Sequence, residues 1–225
     1  MVRPVVLFPH PDEVPFVARR LNPAIRCRPG IGQITGLPAG EDQSFALAAL
    51  LGMDRGDVEK LCEEVASGEI LAPANFNCPG QIAIAGHSKA IQRAIDRVKE
   101  AGKKAVLLPV SAPFHSPLMK PAGDRLEKVL EPIPVAELRV PVVTNVEAEI
   151  NCSKERVKGL LVLQVSSPVR WEDSMRKMIE VGIESMLEIG PGKVLSGLMK
   201  RIDPKTPILQ VEDGEALKKV GAFVK

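Results

Sequence analysis

Residues 81–102, QIAIAGHSKAIQRAIDRVKEAG, constrain the fold of this chain more than any other stretch. The first seven residues, QIAIAGH, form a strand-like apolar run. The residues that follow put Ile91, Ala94, Ile95 and Val98 on one face at helical spacing, and Gly102 ends the run. A strand therefore feeds an amphipathic helix with no linker, and both need apolar partners. The neighbouring sequence supplies them. FALAALLG (45–52) is a short apolar run suited to a buried strand. DRGDVEKLCEEVA (54–66) spaces Val58, Leu61, Cys62 and Val65 as a helix does, with Asp54 as the N-cap candidate. ILAPANFN (70–77) is a strand separated from QIAIAGH by the turn signal Cys78-Pro79-Gly80, and AVLLPVS (105–111) is a last strand. The predicted order over 45–111 is β-α-β-β-α-β, the split ferredoxin-like unit.

Inside that stretch Gly86-His87-Ser88 opens like a G-x-S-x-G nucleophile elbow, but Ala90 stands at the last position. Ser88 immediately precedes the amphipathic helix, where a serine oxygen accepts a hydrogen bond from a first-turn N–H, worth about 1 kcal/mol. The expectation is an N-cap rather than a nucleophile, with His87 a strand-end or surface histidine. A hydrolase using Ser88 and His115 remains the alternative.

Residues 112–225 read as alternating helices and strands, an α/β layer with parallel strands. Ser116 and Pro117 fit N-cap and N1 of a helix carrying Leu118, Ala122, Leu126 and Val129 on one face. VPVVTNV (140–146) is a β-branched strand, and SKERVKGLLVLQ (153–164) a helix with Val157, Leu160 and Leu161 inward. WEDSMRKMIEVG (171–182), KVLSGLMKRI (193–202) and EALKKVGAFV (215–224) are further helices; SMLEIG (185–190) and PILQVE (207–212) are strands. The methionines at 175, 178, 186 and 199 sit at core spacing. GPGKVLSG (190–197) follows a strand and opens a helix, so it could hold an anion; it lacks P-loop spacing, and a tight turn lining a pocket is the expected role. His115 lies in a loop between a strand and a helix N-terminus, a place from which an imidazole can reach a pocket at strand ends; read alone, a structural or surface role stays open beside the catalytic one.

Composition narrows the function. The chain of 225 residues suits one domain or two small ones, and its net charge of +2 gives no strong attraction to nucleic acid or membrane. Aromatics are 3% with no Tyr, which argues against a base-stacking platform. There is no membrane-length apolar run and no signal-peptide core. Cys27, Cys62, Cys78 and Cys152 have no metal-ligand spacing and read as free thiols of a cytoplasmic protein. Residues 1–44 are different in kind: seven prolines, no lysine and no clear period beyond a short candidate strand, MVRPVVLF. They read as a leader, disordered or out of frame.

Five motifs then combine. ANFNCPGQIAIAGH (74–87), PVSAPFHSPLM (109–119), PVVTNV (141–146), SSPVRWEDSM (166–175) and EIGPGKVLSGLMKRI (188–202) together resemble the bacterial malonyl-CoA:acyl carrier protein transacylases, in that family's order, over about residues 45–212. The resemblance implies a partial α/β-hydrolase-like large subdomain, represented here by 112–225, with the ferredoxin-like small subdomain of 45–111 inserted. It implies ping-pong acyl transfer: a serine attacks the malonyl thioester, a histidine acts as base, and the malonyl-serine passes to the phosphopantetheine thiol of the carrier protein. Substrates are then malonyl-CoA and acyl carrier protein, the protein is a cytoplasmic monomer, and no cofactor, metal, nucleic acid or membrane is involved. The family's histidine maps onto His115 and the backbone carbonyl that orients it onto Gln164. Asn75 and Asn77 map to the pocket wall. The family's G-H-S-L-G nucleophile segment, its G-Q-G-[SA]-Q loop and its carboxylate-binding arginine find no counterpart before residue 45; Arg26 and Arg28 lie in unmatched sequence. No nucleophile is found, so the expectation is an N-terminally truncated family member, inactive alone, or else a non-catalytic module that binds the carrier protein.

Overall fold

The computed structural model describes residues 45–110 and 112–223. The leader at 1–44, with MVRPVVLF, Arg26 and Arg28, lies outside the described residues, as do Ser111 and the last two residues. The described chain divides into two compact units, 45–174 and 175–223.

The first unit begins with β1 (Phe45–Leu51), α1 (Arg55–Val65), β2 (Leu71–Cys78), β3 (Gln81–His87), α2 (Ser88–Glu100) and β4 (Lys104–Leu108). The strands form one antiparallel sheet in the order β2-β3-β1-β4, with Phe45 opposite His87 and Leu47 opposite Leu108. The two-residue period of the strands and the helical period of α1 and α2 meet in one core. Ala48, Leu50, Ile82 and Ile84 from the sheet pack with Val58, Leu61, Val65, Ile91, Ala94, Ile95 and Val98. Leu47, Ala74 and Ala85, with Leu108, cluster separately. Cys62 is buried in the main core; burial, then Glu59 and Glu63, push its thiol up to about 12, so it stays protonated and inert.

Gly86 is dictated by close approach. A Cβ there would lie 2.2 Å from the Ile70 carbonyl oxygen, which already accepts the His87 N–H at 2.9 Å. The expected helix caps differ in detail. His87, not Ser88, occupies the N-cap of α2, and no side-chain cap bond is made there; Ser88 is the first helical residue. Asp54 holds the N-cap position of α1 with extended backbone, yet its side chain makes no cap bond.

After β4 the unit continues through a 3₁₀ turn (Pro117–Met119), α3 (Lys120–Leu130), β5 (Val142–Val143), β6 (Ile150–Asn151) and α4 (Lys154–Ser166). Gly123 lets α3 approach α4; its missing Cβ would sit 3.4 Å from the Val162 carbonyl oxygen. Three expectations fail here. The strand expected over 140–146 shrinks to two residues, because Thr144 turns the chain: its N–H donates to Glu149 O and its carbonyl accepts from Ala148 N–H. The result is an antiparallel pairing of β5 with β6, which the sequence had not marked as a strand. On α4, Leu160 is buried but Leu161 is 49% exposed, and on α3 Val129 is 61% exposed. Apolar residues surround α4 on every side, so periodicity could not tell which of them face inward.

Helix α5 (Trp171–Glu180) leads into the second unit, which holds β7 (Met186–Ile189), α6 (Val194–Ile202), β8 (Ile208–Val211) and α7 (Gly214–Phe223). Strands β7 and β8 are parallel, Met186 opposite Ile208, as the alternation of strand and helix predicts. Met175, Met178, Met186 and Met199 are all buried. Among the described residues no helix is long and apolar enough to cross a membrane.

Candidate active site

His115 sits at the tip of the loop joining β4 to the 3₁₀ turn. Its backbone has φ of 59°, the left-handed region that costs a non-glycine residue about 1–2 kcal/mol. The loop is tied tightly enough to hold that conformation. The fully buried Ser116 hydroxyl donates to Pro113 O at 2.7 Å, the Met119 N–H donates to Ser116 O at 2.9 Å, and Ala112, Pro113, Leu118 and Met119 are buried around it. Pro117 occupies N1 of the turn as expected, but Ser116 ties the loop instead of capping it.

Across from the loop, α4 delivers Gln164 near its C-terminal end, where helix carbonyls lack intrahelical partners. His115 Nδ1 lies 3.0 Å from the Gln164 carbonyl oxygen. A carbonyl only accepts, so Nδ1 carries the proton and Nε2 is left with a lone pair. The Gln164 side chain adds a contact: its Nε2 lies 3.3 Å from His115 Nδ1 and 3.3 Å from Ser167 O, to which it donates. Burial lowers the pKa of His115 below the ordinary histidine value, while the carbonyls of Gln164 and Ser167 pull it partly back. Burial thus favours the neutral imidazole, and the Gln164 carbonyl fixes the orientation of its Nδ1 side.

From Ser167 the chain runs extended along the edge of the four-stranded sheet. Val169 makes a parallel bridge with Asn75; the Phe76 N–H donates to Val169 O at 2.9 Å and the Val169 N–H to Ala74 O at 2.8 Å. Asn75 therefore stands beside the segment that leaves Gln164, and Asn77 lies further along β2; both are half-buried. A charged cluster closes this seam. Asp173 accepts from Arg55 Nη2 on α1 at 2.9 Å and from Arg170 Nε at 2.9 Å. Arg55 also lies over the Phe76 ring, 4.1 Å from its centroid, and Arg170 Nη1 donates to Glu147 O at 3.1 Å. Burial alone would raise the Asp173 pKa; the two arginines outweigh it and hold the carboxyl below its usual range. Sequence reasoning missed this cluster: only Arg170 and Asp173 are close in sequence, and Arg55 joins them through the tertiary fold.

Two other candidates resolve differently. In the second unit, the N-terminus of α6 after Gly190-Pro191-Gly192-Lys193 receives an internal anion. The buried Glu188 carboxylate accepts from the N–H groups of Leu195 at 3.0 Å and Ser196 at 2.8 Å, and from the Ser196 hydroxyl. This turn is closed by its own glutamate. In the first unit, His87 Nδ1 accepts the Ile70 N–H at 2.9 Å, which commits that ring to holding β2 against β3 rather than to serving Ser88 as a base. His87 is the strand-end histidine expected.

Comparison with known proteins assigns the ancestry. Residues 52–222 match the model of the acyl transferase domain. The chain is 43% identical over 183 residues to the malonyl CoA-acyl carrier protein transacylase of Bacillus subtilis, covering 80% of this chain and 57% of that protein. It is 46% identical over 158 residues to the transacylase of the same name from Escherichia coli K12, covering 70% and 51%. A malonyl-transacylase solved in complex with a type II PKS acyl-carrier protein superposes with a TM-score of 0.78 at 42% identity, covering 84% of this chain and 61% of that one. The chain thus spans little more than half the length of these relatives.

Proposed function

The chain belongs to the malonyl CoA-acyl carrier protein transacylase family of acyl transferases, and from that premise we propose that it carries the base-bearing part of a malonyl transfer site. The observation that carries the reading is the contact of His115 Nδ1 with the Gln164 carbonyl at 3.0 Å. With Nδ1 protonated and held, Nε2 is the atom that takes the proton of a serine hydroxyl as it attacks the malonyl thioester. The same nitrogen then returns that proton to the departing CoA thiolate. In the second half the phosphopantetheine thiol of the carrier protein gives its proton to Nε2 and attacks the acyl-serine ester; the ester C–O bond breaks, Nε2 returns the proton to the serine oxygen, and the carrier protein leaves with the malonyl group as a thioester. A base of depressed pKa suits this cycle, since it is neutral and ready at physiological pH.

We assign 45–111 to the ferredoxin-like small subdomain and 112–225 to part of the large subdomain; the four-stranded sheet with its two helices supports the first assignment. Asn75 and Asn77, on the strand beside the Val169 seam, are placed at the pocket wall. The reaction belongs to the cytoplasm, in keeping with the unbridged Cys62, Cys78 and Cys152. The 225 residues contain no G-H-S-L-G segment, so the nucleophile is not provided by this sequence.

The chain incubated with radiolabelled malonyl-CoA is expected to acquire no ester label. A chimera joining residues 45–225 to the part of the Bacillus relative that this chain does not match should transfer malonyl to carrier protein. His115→Ala in that chimera should cost about 10²–10⁴ in rate. Label on the unaltered chain, or a chimera indifferent to His115→Ala, would overturn the reading.

A further inference from the structure

We propose that Asp173 is a positioning residue for the His115–Gln164 pair, clamping the segment that follows Gln164 onto the four-stranded sheet. The catalytic meaning of this proposal rests on His115 being the base; the mechanical coupling does not.

The geometry is continuous. Gln164 lies in the last turn of α4 and offers its carbonyl to His115. Ser167, three residues on, holds the Gln164 side-chain amide. Val169 is fastened on both sides to β2 through Ala74 O and Phe76 N–H. The Arg170 N–H donates to Asn145 O at 2.8 Å, and the Arg170 guanidinium is shared between Glu147 O and Asp173. Asp173 then reaches across to Arg55 on the first helix of the sheet unit. Its two oxygens are divided between the two arginines, Oδ1 to Arg55 and Oδ2 to Arg170. One carboxylate therefore adds a cross-link to α1 beyond the two Val169 backbone bonds that join this segment to the sheet.

Two backbone bonds at Val169 would not fix this segment alone. An edge pairing of a single bridge leaves the chain free to peel, and it is the charged contact with α1 that resists peeling. The pair is partly exposed, with side chains 37% and 23% accessible for Arg55 and Asp173, so its net contribution to global stability is small. Its expected effect is local placement. The stacking of Arg55 on Phe76 fixes the guanidinium, so the fork presented to Asp173 is pre-arranged.

The test uses the full chain and the histidine ring nitrogens observed by ¹⁵N NMR. Asp173→Asn is expected to shift His115 from the Nδ1–H tautomer towards a mixture, with loss of the larger part of the Nδ1–H population. Its titration midpoint should move up towards that of a solvated histidine. Asp173→Glu, which keeps the charge, should restore both readouts. Glu69→Gln, which breaks the Arg93–Glu69 pair elsewhere on the same sheet unit, should leave His115 unchanged. Should Asp173→Asn fail to fold, Arg55→Gln removes the same cross-link while leaving Arg170 paired, and the same loss of Nδ1–H is expected. An unchanged tautomer and midpoint in a folded Asp173→Asn or Arg55→Gln chain would overturn the proposal, and so would an equal change in Glu69→Gln. Each result stands whether or not His115 is a base, which the chimera decides separately.

Discussion

The two antiparallel sheets of the first unit are built to different depths. In the β1–β4 sheet, β1 pairs with β3 along seven consecutive positions, and both helices that follow its strands bury their apolar faces against it. In the β5–β6 pair only two positions match on each side, and Val142 and Ile150 at its ends are exposed, as are Val129, Leu161 and Leu163 on the helices of the same segment. The first sheet pairs strands along their full length and closes its own core. The second segment presents apolar surface that its described neighbours do not cover. His115 and Gln164 belong to this second segment, yet the chain after Gln164 is fastened to the first sheet through Val169 and Asp173. The candidate site therefore draws its chemistry from the thinner region and its rigidity from the thicker one.

The sharpest way to break this contrast is to add one methyl group to each region. Gly86→Ala places a Cβ 2.2 Å from the Ile70 carbonyl oxygen, a backbone atom that cannot step aside without opening β2 from β3. Overpacking of this kind costs about 1–3 kcal/mol, and the rigid obstacle puts Gly86→Ala at about 3. Gly123→Ala meets Val162 O at 3.4 Å, a contact that a small shift of α3 relieves, and alanine is the better helix former by about 1 kcal/mol. The two nearly cancel. Urea unfolding followed by circular dichroism should show a large fall in midpoint for Gly86→Ala and almost none for Gly123→Ala. The reverse order would mean that the α3–α4 contact, not the four-stranded sheet, sets the stability of the unit.

Hydrogen exchange reads the same contrast without mutation. Amides of Leu50, Ile82 and Ile84 lie inside paired strands over a buried core, whereas Val143 and Asn151 sit in a two-residue pairing with exposed flanks. Opening the short pair exposes little apolar area, so protection there should be on the order of 10²-fold lower. Equal protection would show that residues 142–151 are held as firmly as the sheet.

How much of this was legible beforehand follows the same division. Elements with one clean period were read almost residue for residue: α2 from Ile91, Ala94, Ile95 and Val98, and the parallel β7–β8 pair from the alternation around Met186 and Leu209. The pairing of His115 with Gln164 was legible only through resemblance, since 49 residues separate them and neither residue type announces the other. Where apolar residues run all round, as in α4, period fails and Leu161 was placed on the wrong side. VPVVTNV had the composition of a strand, but strand length depends on a partner, and the turn after Val143 supplied a short one. Asp173 lay inside the SSPVRWEDSM motif, but its partner Arg55, 118 positions away, could not be read from the sequence.

Ser88→Ala carries the smallest expected effect, and it tests how the thick region is finished at its helix ends. The sequence argument made the Ser88 hydroxyl a cap, and removing a cap costs about 1 kcal/mol. In the structure the cap position belongs to His87, whose backbone is extended at φ −65° and ψ 141°, and Ser88 has already entered the helix. His87 is fixed there by a different bond, its Nδ1 accepting the Ile70 N–H, and its ring lies 5.7 Å from that of Phe45 on the paired strand. The start of α2 is thus set by the β2–β3–β1 sheet itself, and the serine hydroxyl adds no cap bond to it. Alanine is also at least as good as serine in the first turn. Ser88→Ala should therefore change unfolding free energy by no more than about 0.5 kcal/mol. His87→Ala should cost more, because it leaves the Ile70 N–H without its acceptor. A loss near 1 kcal/mol from Ser88→Ala, with His87→Ala neutral, would restore the serine as the cap and make the helix start a local feature of the sequence rather than a product of the sheet.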